Sequence, residues 1–252
     1  MRRLIAALLI AAATGGTSEA ADLKVMAALV LQDALDAIVA DFSRAGGREV
    51  EVAYSTVGAI RQRIAAGERA DVVVLTADAI DAMAREEKLG RSAPVALTRT
   101  GVAIRDGAVV PSIATIDQFR AALLAARSVA YTDPKTGGAF GTYFAGELAR
   151  LGLLDAVNAK AVLRRGSHEI VASVARGEAE LGITFVSTIV STPGAKVAGP
   201  LPPPLAGEER FAAGILKGSA AGPIADAFLD ALRASTSRAV WTRWGFETDG
   251  GP

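Results

Sequence analysis

An α/β fold built on a doubly wound sheet is what the sequence predicts, and three observations carry it. Short apolar runs alternate with alanine-rich amphipathic stretches along most of the chain. Val72 to Leu75 is four apolar positions in a row, as in a parallel strand covered on both faces. Thr76-Ala77-Asp78 then opens a helix directly, which is the strand-to-helix rhythm of βα units.

In chain order, residues 1–20 read as a cleaved signal peptide. Arg2 and Arg3 are followed by an apolar run from Leu4 to Ala13 and by Ser18-Glu19-Ala20, with small residues where a signal peptidase reads. The run falls short of the ~20 residues that span a bilayer. Cleavage after Ala20 would leave about 230 residues, enough for one large or two modest domains. The expected location is the periplasm, with no transmembrane domain in the mature protein.

Leu23 to Met26 is expected as the first strand, followed by a helix over about 32–45. A strand at Val50 to Ala53 precedes a helix at Ile60 to Ala66, and Val72 to Leu75 precedes one from Ala79 to about Glu87. Pro94 to Ile104 reads as an extended crossover. Beyond it come a helix over 116–126, a strand at Ser128 to Tyr131, and a helix from Ala139 to Gly152. A short strand at Val162-Leu163, a helix at Glu169 to Ala175 and a strand at Leu181 to Phe185 follow. Pro200, Pro202, Pro203 and Pro204 exclude a helix interior or a central strand. Phe211 to Leu216 can return as a strand. Pro223 suits a helix start, where its missing amide costs least, and Ala239 to Trp244 closes the chain as a short helix.

Composition narrows the function classes. The 27 basic and 27 acidic residues balance, so no field steers the chain toward nucleic acid. Cysteine is absent and histidine occurs once, which leaves neither a disulfide framework nor a zinc set. No cofactor and no metal are expected.

Three helix entrances carry the candidate chemistry, because the first amides of a helix lack internal acceptors and can hold an anion. Ser55-Thr56-Val57-Gly58 ends a strand, and a hydroxyl there can cap the helix or face a ligand. Arg61 and Arg63, further along, are charge partners for a carboxylate or ordinary exposed helix arginines. Asp133-Pro134-Lys135-Thr136-Gly137-Gly138-Ala139-Phe140-Gly141-Thr142 has three glycines that permit close backbone approach. It is an anion-holding loop or a plain helix entry, and it lacks the Gly-Lys-Ser/Thr ending of a nucleotide phosphate loop. Arg165-Gly166-Ser167-His168-Glu169 offers Ser167 as a cap and a neighbouring His168–Glu169 pair.

Lys24-Val25-Met26-Ala27-Ala28, Asp33-Ala34-Leu35, Gly67 to Val73, Thr76-Ala77-Asp78 and Arg176 to Ile183 together resemble the periplasmic molybdate-binding family. That family has the type-two solute-binding fold of ABC importers, and the resemblance covers nearly all of the mature chain. It implies two α/β lobes with a ligand cleft between them: residues 21–96, then 97–205, then 206–252 as crossover and return to the first lobe. It implies ligand contacts from Ala28, Leu29, Val30, Ser55, Thr56, Val57, Gly58 and Thr76 in one lobe. The other lobe would supply Thr136, Gly137, Gly138, Ala139, Phe140, Ser167, His168 and Phe185. By residue type, Arg61 and Arg63 near the first entrance and Lys135 and Arg165 near the other two are candidate charge partners. The implied partners are a small anionic solute and an inner-membrane ABC permease.

Three positions depart from the family. Leu29 or Val30 stands where molybdate binders place a serine, Phe185 where they place tyrosine, and Thr188 where aspartate is common. Hydrogen bonds to a charged oxygen contribute roughly 1.5–3 kcal/mol each, so the losses favour a small organic carboxylate over molybdate. The alternative is an enzyme: aconitate isomerase is similar to this family. In that reading His168 or Glu169 moves a proton while cationic side chains hold carboxylates.

Overall fold

Each apolar run that precedes a helix becomes a strand in a computed structural model, which describes residues 21–136 and 139–248. The first half contains β1 (Leu23–Ala28), a 3-10 turn (Leu29–Leu31), α1 (Gln32–Gly46), β2 (Val50–Ser55), α2 (Val57–Ala65), β3 (Val72–Thr76) and α3 (Ala77–Arg85). β4 (Leu89–Arg105) then leads to α4 (Ile116–Ala125), β5 (Val129–Thr132), a 3-10 turn (Pro134–Thr136), α5 (Ala139–Arg150) and α6 (Leu154–Asn158). β6 (Ala161–Arg164), α7 (Ser167–Ala175), β7 (Leu181–Phe185), α8 (Val186–Val190) and β8 (Ala195–Pro200) follow. The chain ends in β9 (Glu208–Leu216), α9 (Gly222–Arg233) and α10 (Ser235–Arg243).

The strands pair in the order β2-β1-β3-β9-β4-β7-β5-β6, with β8 also on β4. β1, β2 and β3 are mutually parallel, as are β5, β6 and β7, while β4 and β9 run antiparallel to their neighbours. β4 joins two halves. Its stretch up to Arg99 pairs with β9, and from Thr100 onward it pairs with β7 and β8.

Each half has a core on both faces of its sheet. Leu23, Val25, Ala27, Val72 and Val74 pack against α1, α9 and α10, whereas Met26, Val73 and Leu75 pack against α2 and α3. Burial on alternating faces leaves no place for a polar residue in Val72 to Leu75. In the second half Val102, Ile104, Val129, Tyr131 and Ile183 face α4, α5 and α6. Ala103 and Ala130 face α7 and α8.

The structure corrects several local expectations. α6, α8 and β8 were not anticipated, and β4 begins five residues before Pro94, through polar Arg91 and Ser92. Ser167 is not a cap: Gly166 takes that position, and Ser167 is the first residue of α7. Thr56 caps α2, its hydroxyl accepting from the Ala59 amide at 3.3 Å. Pro223 sits in the first turn of α9, as its chemistry requires. The 1–20 segment, Gly137 and Gly138 lie outside the described residues. Among the described residues no helix is long and apolar enough to cross a membrane.

Candidate functional site: a crevice at the strand ends

Parallel strands in register end together. Ala28 of β1 lies level with Ser55 of β2, and β3 ends beside them at Thr76. Across the molecule Thr132 of β5 lies level with Arg164 of β6, with the end of β7 at Phe185. β4 fixes how these two edges meet. Its Ala96 is level with Phe211, which is level with Thr76; its Thr100 is level with Phe185. Four residue steps of strand span about 13 Å at ~3.3 Å each. The carboxyl ends of both strand sets therefore face one another across the crossover, at a topological switch point where open α/β sheets leave a crevice.

Helix entrances line both edges. The 3-10 turn after Ala28 and the starts of α3 and α7 have no side-chain cap, so their first amides are not satisfied by a capping oxygen. α5 begins against the end of β5. A β-carbon at Gly141 would stand 2.6 Å from the Thr132 carbonyl oxygen, so glycine is what lets the helix approach so closely.

The apolar surface is concentrated on one side of the crevice mouth. The ring centroid of Phe140 lies 5.8 Å from that of Phe185, and 6.0 Å from that of Phe144 in a stacked arrangement. Both Phe140 and Phe185 are half-buried. On the facing edge Leu29 is 46% exposed and Val30 half-buried, an unusual exposure for a leucine beside a helix entrance. None of Phe140, Phe185, Leu29 and Val30 offers a hydroxyl.

Charge is divided unevenly. On the first edge Tyr54 donates to Asp36 at 2.6 Å. Burial, with Asp36 and Asp33 adding to it, pushes the phenol far above its usual range. Glu209 lies level with Thr98 on the crossover, half-buried, and burial with the charge of Asp78 raises its carboxyl above the usual range. The second edge carries exposed Lys135 and Arg165, neither with an ion-pair partner among the described residues.

The expected residues separate into two groups. Ala28, Leu29, Val30, Ser55, Thr56, Val57, Gly58 and Thr76 fall on the first edge; Thr136, Ala139, Phe140, Ser167, His168, Phe185, Lys135 and Arg165 fall on the second. Arg61 and Arg63 do not join them. Arg61 pairs with Glu86 at 2.9 Å, and Arg63 pairs with Glu68 beside Lys24, toward the amino end of β1. His168 and Glu169 are both exposed, and the Glu169 carboxylate accepts from the Arg165 amide at 3.2 Å, which ties it to the helix entrance. Sequence reading passed over Thr98, Thr100 and Glu209. Thr98 and Thr100 fall at the same alternate positions as Ala96, Val102 and Ile104 in the crossover, and that period of two was the available signal.

Other hollows lie at the opposite ends of the strands. One of about 630 Å³ is lined by Arg105, Arg127 and Glu180, and one of about 720 Å³ by Lys24, Asp71 and Lys217. Helices present carbonyl ends there, which oppose an anion, whereas the crevice receives their amide ends.

The comparisons with known proteins agree with this geometry. Aconitate isomerase of a Pseudomonas species is 32% identical over 169 residues, 64% of this chain; the match spans only 63% of that protein's length. The molybdate-binding protein ModA of Escherichia coli is 27% identical over 96% of this chain and 95% of its own. A substrate-binding domain from Clostridium difficile, assigned to a molybdenum ABC transporter, superposes with a TM-score of 0.76 at 18% identity, covering 90% of this chain and 98% of that one. The model of the bacterial extracellular solute-binding proteins matches residues 23–247, and the chain belongs to that family, within its two-lobed, molybdate-binding-like members.

Proposed function

We propose that this chain is the periplasmic capture component of an ABC importer, delivering a small anion to an inner-membrane permease. The family and the molybdate-binding relatives support that coarse reading. In it, residues 21–96 and 206–252 form one lobe and 97–205 the other, with residues 1–20 removed on export. Binding requires no covalent step: uncapped amides hold the anion, and Lys135 and Arg165 add charge from one side.

The finer reading is that the solute is a small organic carboxylate in preference to molybdate. The contact of Phe140 with Phe185 at the crevice mouth carries it. A phenyl surface beside Leu29 and Val30 suits a carbon skeleton, and none of these four side chains offers an all-oxygen ion a hydroxyl donor. Calorimetry of ligand-stripped protein with molybdate, tungstate, sulfate, citrate and both aconitate isomers tests this. The expected result is measurable carboxylate binding at least tenfold tighter than molybdate, a difference of about 1.4 kcal/mol. Tight molybdate binding with no carboxylate binding would overturn it.

A second reading, isomerisation of a tricarboxylate, is favoured by the 32% identity to aconitate isomerase. His168 and Glu169 would then be the proton-moving groups, although Glu169 is occupied by the Arg165 amide. Incubation with cis-aconitate, followed by proton NMR, separates the readings. Accumulation of the trans isomer would make the protein an enzyme.

A further inference from the structure

We propose that residues 245–247 act as a clip across the crossover, restraining how far the two halves swing apart. The inference rests on the two-lobed reading above, and its evidence is the path of the chain after α10. That helix belongs to the first half, packed with α1 and α9. The residues after it leave the helix and return to β4 at the point where β4 changes sheets.

Glu247 forms an isolated antiparallel bridge with Leu97, with backbone bonds of 2.8 and 2.7 Å in the two directions. Its carboxylate accepts from Nε and a terminal nitrogen of Arg99 at 2.7 and 3.0 Å, a two-point geometry that fixes direction as well as distance. Two residues earlier the same segment reaches the second half. Gly245 has φ +76°, and a β-carbon there would stand 3.1 Å from Ser187 Cα and 3.2 Å from its amide nitrogen. The Thr98 hydroxyl links both contacts, donating to the Gly245 carbonyl at 3.3 Å and accepting from the Ser187 amide at 3.2 Å.

The segment is therefore held by the crossover strand while pressed against the first turn of α8. Rotation of the halves about Thr98 to Thr100 must slide Gly245 over Ser187 and strain the shared Thr98 hydroxyl. An independent feature marks the same place. The hydroxyls of Thr184, Ser187 and Thr188 are buried with no hydrogen-bond partner among the described residues. Burying a hydroxyl without a partner is unfavourable, so these three groups mark a local cost at the turn that Gly245 presses on.

The chain has no cysteine, so Arg48→Cys and Ala121→Cys place one spin label on an exposed site of each half. Pulsed electron-electron distance measurement on ligand-free protein reads the spread of separations. Glu247→Ala should widen the distribution and shift its mean. Glu247→Gln, which keeps one side-chain oxygen to accept from Arg99, should do so to a lesser degree and safeguards the test if the alanine variant fails to fold. The exchanged pair Arg99→Glu with Glu247→Arg should narrow the distribution again. Folded variants whose distributions superimpose on the parent's, or an exchange that fails to narrow it, would overturn the clip. No solute enters this measurement, so its outcome is separate from that of the calorimetry.

Discussion

Phe185 has the most direct bearing on what the crevice accepts. It ends β7 level with the crossover and packs its ring on Phe140. Phe185→Tyr adds one hydroxyl at a half-buried position. If that oxygen reaches the anion it supplies a charged hydrogen bond of roughly 1.5–3 kcal/mol. Molybdate affinity should rise by about tenfold or more while carboxylate affinity moves little, as read by calorimetry. Equal gains for both solutes would show that the ring does not discriminate. Two carboxylates shifted in opposite directions contribute to the response to pH. Glu209 has a folded-state pKa raised by burial and by Asp78. The folded chain holds that proton more tightly, so its stabilising contribution is full below the unfolded value and disappears as pH rises through the folded one. Glu209→Gln should raise urea-unfolding stability near neutral pH and flatten its pH dependence. Glu178 is the opposite case. Arg176 and Arg164 pull its carboxyl down to about 2, so its contribution is present above the unfolded value and is lost as pH falls toward 2. Glu178→Gln should remove that part of the acid sensitivity.

Helices approach their strands closely where glycine leaves room, and these contacts hold the crevice edges in place. A β-carbon on Gly182 would stand 2.8 Å from Val174 Cγ2 and 3.0 Å from Ile170 Cγ2, both on α7. Gly182→Ala should overpack this face and cost about 1–3 kcal/mol, seen as a lower urea midpoint with an unchanged slope. Displacing α7 also moves its uncapped entrance, so solute affinity should fall with stability. How far the elements could be read from sequence follows from their length and surroundings. β7 matches its expected limits, Leu181 to Phe185, because Leu181 and Ile183 are buried strand positions and the coverage ends at half-buried Phe185. α8 was hidden because Val186 to Val190 is short and four of its five residues are β-branched, so it reads as more of the strand. β8 contains Gly199 and ends at Pro200, and it pairs on β4, outside the main strand order. Pairing that depends on a distant partner leaves little local pattern.

The crevice itself was only half legible, for the same physical reason. Each helix entrance announces its chemistry locally, so Ser55 to Gly58, Phe140 and Ser167 could be named from residue type. Which entrances face each other depends on β4 changing sheets between Arg99 and Thr100, a contact pattern set by residues as distant in sequence as Phe185 and Glu208. Separation in sequence also hid the Thr98 bonds to Ser187 and Gly245, and the pairing between neighbouring helices that draws Arg61 to Glu86. This long-range arrangement leads to the closing prediction. Two separate double-sided cores make two stiff bodies, while the connection between them narrows to strand segments near Thr98 to Thr100 and residues 201–207. Stiff bodies on a narrow connection move by hinge rotation. An anion contacting amides on both edges gains its second set of bonds only as the edges approach, so binding and closure are coupled. Solution scattering should give a smaller radius of gyration for solute-saturated protein than for stripped protein. Saturation at about one hundred times Kd should also stabilise the fold by about 2.7 kcal/mol. A protein that gains that stability with an unchanged scattering profile would bind on one edge alone, and the crevice would then be an open platform.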